Sequence, residues 1–102
     1  MENFLFEIVC PLGFRVRTTY KYWDIILQKH PELDNNLNEV IKTLKEPEQI
    51  RKSKRDEKVF LLYRKLDKYF LCVVIKQELK FGIVVTCYLT DKIKEGERIW
   101  PK

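Results

Sequence analysis

The chain has 102 residues, 45% hydrophobic and 13% aromatic, with 20 Lys+Arg against 15 Asp+Glu and a formal net charge of +5. That length closes one hydrophobic core and argues against a second domain, while the apolar content argues against a disordered chain. The positive balance suits a nucleic acid or another polyanion without identifying one.

The start, "MENFLFEIVC", carries Glu2 and Glu7 and lacks a basic leader, so it does not read as a signal peptide. Phe4, Phe6 and Ile8 alternate with Leu5, Glu7 and Val9, which predicts a strand. "PLG" (11–13) is turn chemistry, and "FRVR" alternates again, with Phe14 and Val16 opposite Arg15 and Arg17. The two halves fit a hairpin or a bent edge strand.

Thr18 or Thr19 caps a first predicted helix, whose stripe is Trp23, Ile26, Leu27 and His30. Pro31 disfavours helical geometry at His30 and ends the helix there. Asp34 is expected to cap a second helix with Leu37, Val40, Ile41 and Leu44 on its buried stripe, ending near Pro47. The stretch "EQIRKSKRDEK" (48–58) reads as a polar break, and its basic run from Arg51 to Lys58 could contact phosphates or simply be solvated. Three strand-like runs follow, "VFLLYRK", "YFLCVVIK" and "FGIVVTCYLT", spaced as an antiparallel meander with the middle run central. The tail "DKIKEGERIWPK" reads as a short turn or helix with Trp100 pinned to the body.

The expected fold is therefore a single α+β domain spanning 1–102. Two helices from its N-terminal half would pack on one face of a twisted, four- to five-stranded antiparallel sheet. Cys10, Cys72 and Cys87 are odd in number and show no C-x-x-C spacing, which argues for a reducing compartment and against a structural zinc site. No apolar run approaches a membrane span, so a cytoplasmic protein without a membrane partner is expected.

His30 is the only histidine and the one side chain whose ordinary pKa lies near neutrality. At a helix end it is either a cap, favoured by the dipole, or an acid–base group. Thr86 and Tyr88 share one face of the last long strand, as a hydroxyl pair among apolar neighbours or as a β-former beside a core aromatic. No phosphate loop, nucleophile elbow or spaced carboxylate pair is present. An enzyme built from His, Arg, Lys, Tyr and Thr suits RNA cleavage by internal transesterification. There the ribose 2′-hydroxyl is the nucleophile, and the protein supplies a base, an acid and cations.

Taken together, "GFRVRTTYKYWDIILQKHPE", "EPEQIRKS", "VFLLYRK", "CVVIK" and "VVTCYLTDKIKEG" resemble the small phage- and plasmid-associated domains of the barnase–EndoU–colicin–RelE nuclease superfamily. The most specific pieces are the helix ending in His-Pro-Glu, the P-x-x-I-x-x-S stretch from Pro47 to Ser53, and T-x-Y-x-T from Thr86 to Thr90. The resemblance implies a metal-independent ribonuclease without a cofactor, held in check as a toxin by a cognate antitoxin. It implies His30, Tyr88, Thr86 and Arg17 as catalytic candidates, with Arg51, Ser53 and Lys76 as RNA-binding candidates. A single histidine excludes a two-histidine site, so Tyr88, Lys76 or an arginine would complete the acid–base pair. The alternative is a non-catalytic RNA-binding or protein-interaction module on the same fold, with His30 structural. A third option, an enzyme acting on DNA or nucleotides, lacks the carboxylate cluster of two-metal chemistry.

Overall fold

In a computed structural model that describes residues 3–93 and 95–101, strands β1 (Phe4–Val9) and β2 (Arg15–Thr19) come first. Glu2, Lys94 and Lys102, which fall in the N-terminal and tail readings, lie outside the described residues. Gly13 sits at φ +95° in the β1–β2 turn and donates its N–H to the Cys10 carbonyl at 2.9 Å, a backbone geometry that a Cβ disfavours. Helix α1 (Tyr20–Lys29) begins immediately, because the Thr19 hydroxyl accepts from the Tyr22 N–H at 3.0 Å. It stops ahead of Pro31, where the His30 N–H donates to the Ile26 carbonyl at 2.9 Å.

A 3₁₀ turn (Pro31–Leu33) buries Leu33 completely before helix α2 (Leu37–Lys45). The expected Asp34 cap is corrected here. Asp34 closes the 3₁₀ turn through an N–H bond to the Pro31 carbonyl, and Asn36 takes the N-cap, its side chain donating back to the Glu32 carbonyl rather than capping the helix. The chain continues as β3 (Gln49–Lys52), β4 (Val59–Leu66), β5 (Tyr69–Gln77), β6 (Gly82–Thr90) and β7 (Glu97–Trp100).

Among the described residues the sheet has seven strands in the order β1-β2-β6-β5-β4-β3-β7, and β2 pairs with β6 in parallel. The fold is α+β, but the expected four- to five-stranded antiparallel sheet is overturned on both counts. Two of the strands carry little sequence signal, because "QIRK" and "ERIW" are short and mostly polar. Each is held by a neighbouring strand's unpaired backbone, and Ile50 anchors β3 with no exposed surface. The tail that read as a turn or helix thus ends as β7. The parallel pair joins Val16 to Gly82 and Arg17 to Ile83, partners far apart in sequence that no local periodicity reports.

One core holds the buried positions of both helices (Trp23, Ile26, Val40, Leu44) together with Phe60, Leu62, Leu71, Val73, Ile75, Val84 and Cys87 from the sheet. Leu27 and Leu37 pack at its margin. On the sheet's other face, Leu61, Tyr63 and Cys72 form a smaller cluster with Phe70, Val74, Tyr88 and Ile93. Ile93 belongs to the connection from β6 to β7 and covers part of that face.

Arg64 ties α2 to β4. Its guanidinium pairs with the Glu39 carboxylate, donates to the Glu39 carbonyl at 3.3 Å and donates through Nε to the buried Thr43 hydroxyl at 3.2 Å. Thr43 itself donates to the Glu39 carbonyl at 2.8 Å. Arg64→Ala removes charge-assisted bonds at a half-buried site and is expected to lower stability by about 1–3 kcal/mol. The check is the urea midpoint; no displacement would show that water replaces these bonds without loss.

Candidate functional site

Cross-strand register builds the face opposite the helices. Tyr63, Cys72 and Tyr88 stand directly abreast on β4, β5 and β6. A second row, Arg51, Leu61, Val74 and Thr86, runs parallel to it, because side chains two residues apart share a face. Val59, Lys76, Ile83 and Arg17 form a third. The β6 register slips at Val85, so Thr86 and Tyr88 stay on this face.

His30 reaches the end of the first row from the C-terminus of α1. Its ring centroid lies 6.3 Å from that of Tyr88, with the planes tilted by 36°. Its Nδ1 is 3.4 Å from a Glu32 carboxylate oxygen, and the side chain is 28% exposed. The local sequence explains this placement. Pro31 stops the helix, and the 3₁₀ turn it starts folds Glu32 back beside the imidazole. Sequence reasoning assigns Glu32 no role; its position two residues after the histidine, across a proline, is the signal that could have found it.

Tyr63 and Tyr88 have pKa values well above the ordinary phenol range, first because they are buried and second because the Cys72 thiol lies between them. Tyr88 therefore keeps its proton and acts as a hydrogen-bond donor rather than as a base. Thr86 sits roughly 7 Å along the strand from Tyr88. His30 and Tyr88 are thus brought together, and Thr86 shares the face of β6 that carries Tyr88.

The cationic candidates are spread away from them. Arg17 is abreast of Ile83, about 15 Å along β6 from Tyr88. Its charge is met by Glu7 at 2.7 Å, and its guanidinium lies over the Phe4 and Phe81 rings. Lys76 Nζ is 3.9 Å from Asp56. Arg51 lies three strands from Thr86, about 14 Å away. It donates to Gln49 Oε1 at 3.0 Å and to the Gly96 carbonyl at 3.1 Å. Gly96 comes so close that a Cβ would lie 2.6 Å from the Lys52 carbonyl oxygen. Ser53 follows β3 and lines a separate cavity of about 330 Å³ with Arg55, Leu61 and Glu95. Its hydroxyl accepts from the Arg55 N–H at 3.2 Å.

The central thiols are inert at neutral pH. Burial pushes Cys72 and Cys87 up to about 12. Such a group holds its proton more tightly folded than unfolded, so its stabilising effect is complete below about pH 9 and declines as pH rises toward 12. The urea midpoint should fall across that window, and less steeply in a Cys72→Ala/Cys87→Ala variant. A pH dependence identical in the two proteins would refute this assignment.

Among the described residues, no three His, Cys, Asp or Glu side chains gather as potential metal ligands, and no helix is long and apolar enough to cross a membrane. Compared with protein-family models, curated proteins and solved structures, the chain finds no match in any of the three.

Proposed function

We propose that the chain is a metal-independent endoribonuclease resembling the barnase–EndoU–colicin–RelE superfamily, acting in the cytoplasm as a toxin restrained by a cognate antitoxin protein. The observation that carries the reading is the placement of the His30 ring beside Tyr88 with a carboxylate at its Nδ1. Glu32 favours the tautomer with the proton on Nδ1, which leaves Nε2 free to accept a proton from a ribose 2′-hydroxyl. The resulting alkoxide attacks the adjacent phosphorus, the 5′-oxygen leaves and takes a proton from water, and a 2′,3′-cyclic phosphate remains. Tyr88, held neutral by burial, donates to a non-bridging phosphoryl oxygen as charge develops there. Lys76, Arg17, Arg51 and Ser53 contact the strand on either side of the cut.

The test is incubation of single-stranded RNA with the purified protein in EDTA, with the new ends analysed chemically. Cyclic or 3′-phosphate ends are expected. Cleavage only on adding Mg²⁺ would reject this mechanism. The logarithm of the affinity for an uncleavable analogue should fall linearly with the logarithm of salt concentration, because bound Lys and Arg release counterions.

One observation favours a second reading, a non-catalytic RNA-binding module. Arg17 and Arg51 both have partners within the protein, and neither stands beside His30. RNA binding without cleavage by the wild type would establish that reading instead.

A further inference from the structure

Two members of the row Tyr63, Cys72 and Tyr88 have no task in the RNA-cleaving reading. Tyr63 is 1% exposed and Cys72 is wholly buried. Tyr88, at the end of the row, is half-buried and meets the His30 ring at 6.3 Å between centroids. These three are the polar members of the smaller apolar cluster, among Leu61, Phe70, Val74 and Ile93. Buried hydroxyls and thiols need partners. Here they find them in one another.

Strand spacing puts the backbones of Tyr63 and Tyr88 roughly 10 Å apart, with Cys72 between them. A thiol is much shorter than a phenol, which leaves the space above it to the two hydroxyls. Both phenols hydrogen-bond the thiol, and Tyr63 hydrogen-bonds Tyr88. Burial above all keeps the three protonated at neutral pH, and the Glu95 carboxylate opposes ionisation of each as well. The row is therefore a set of neutral groups, each of which can donate one proton and accept another.

That matters for Tyr88. A phenol proton lies in the ring plane on either side of its oxygen, and a lone hydroxyl uses both. When a phosphoryl oxygen arrives beside His30, it is the strongest acceptor in reach, because it is charged. The Tyr88 proton turns to it, and the Tyr88 oxygen is left to accept from the groups behind. Successive hydrogen bonds of this kind reinforce one another at low dielectric.

We propose that Tyr63 and Cys72 are positioning residues for Tyr88, donating to its oxygen and so aiming its proton outward at the phosphoryl group beside His30. The proposal rests on the RNA-cleaving reading and gives that reading's neutral donor a fixed direction.

The experiment labels the five tyrosines with ¹³C at Cζ, whose resonance responds to hydrogen bonding at the phenol oxygen, and assigns them by replacing each with phenylalanine. Tyr63→Phe removes one hydroxyl at nearly constant volume and should displace the Tyr88 resonance. Tyr22→Phe removes a hydroxyl that donates to the Val85 carbonyl at 2.9 Å, and should leave Tyr88 unmoved. In RNA cleavage, Tyr63→Phe should lower kcat roughly 2- to 10-fold, the weight of one net hydrogen bond, with KM unchanged. In a Tyr88→Phe background it should cost nothing further, because both act through one group. Cys72→Ser keeps a donor and an acceptor in the row and should cut RNA faster than Cys72→Ala; this pair carries the comparison should Tyr63→Phe not fold. A loss in kcat that is the same with and without the Tyr88 hydroxyl would overturn the proposal and leave the nuclease standing. So would a Tyr88 resonance that Tyr63→Phe does not move. A displaced Tyr88 resonance in a protein that does not cut RNA would retain the row and reject the nuclease.

Discussion

Replacing His30 by alanine is expected to slow metal-free RNA cleavage by roughly 10²- to 10⁴-fold, the usual contribution of one positioned acid or base. The imidazole is partly exposed, and its ring carries no core position, so the variant should fold and bind uncleavable RNA as the wild type does. Glu32→Gln should have a smaller effect, because it removes the charge that orients the ring while leaving Nε2 in place. Equal rates for wild type and His30→Ala in EDTA would reassign His30 to helix capping. Tyr88→Phe, which removes a donor that burial holds protonated, should lower kcat with little change in KM.

Leu62→Ala is expected to destabilise the domain by about 2–5 kcal/mol. Leu62 has no exposed surface and lies on β4 within the core shared with both helices. Its removal leaves a cavity that α2 and the adjoining strands cannot easily close. Leu79, at 95% exposure in the β5–β6 connection, is the matched control, and its replacement by alanine should fall within roughly 0.5 kcal/mol of the wild type. The comparison is read from urea midpoints. A loss at Leu62 no larger than at Leu79 would contradict the assigned core.

Much of the site's composition was legible before its geometry. Thr86 and Tyr88 were placed on one face by simple alternation, and the bulge at Val85 leaves that parity intact. His30 was placed at a helix end by Pro31. The neighbourhood of Tyr88 was not legible. Cys72 and Tyr63 enter it only because β4, β5 and β6 align in one register, and each residue alone reads as a core position. The spacing of the cations was equally hidden. Arg17 sits in an alternating stretch and Arg51 in a polar break, and they end on opposite sides of the sheet's open face.

By itself, the sequence determined what local chemistry decides. Proline and threonine set the ends of α1, period-two alternation set β1 and β2, β-branched and aromatic runs set the long strands, and apolar stripes set most helix positions that enter the core, Ile41 excepted. Only the tertiary structure decided the parallel β2–β6 pair, the short polar strands β3 and β7, the Glu32 carboxylate beside His30 and the row of Tyr63, Cys72 and Tyr88. The physical reason is the same in each case. These features depend on backbone groups and side chains far apart in the chain, or across a turn, whose meeting is set by the packed core and by unpaired strand edges.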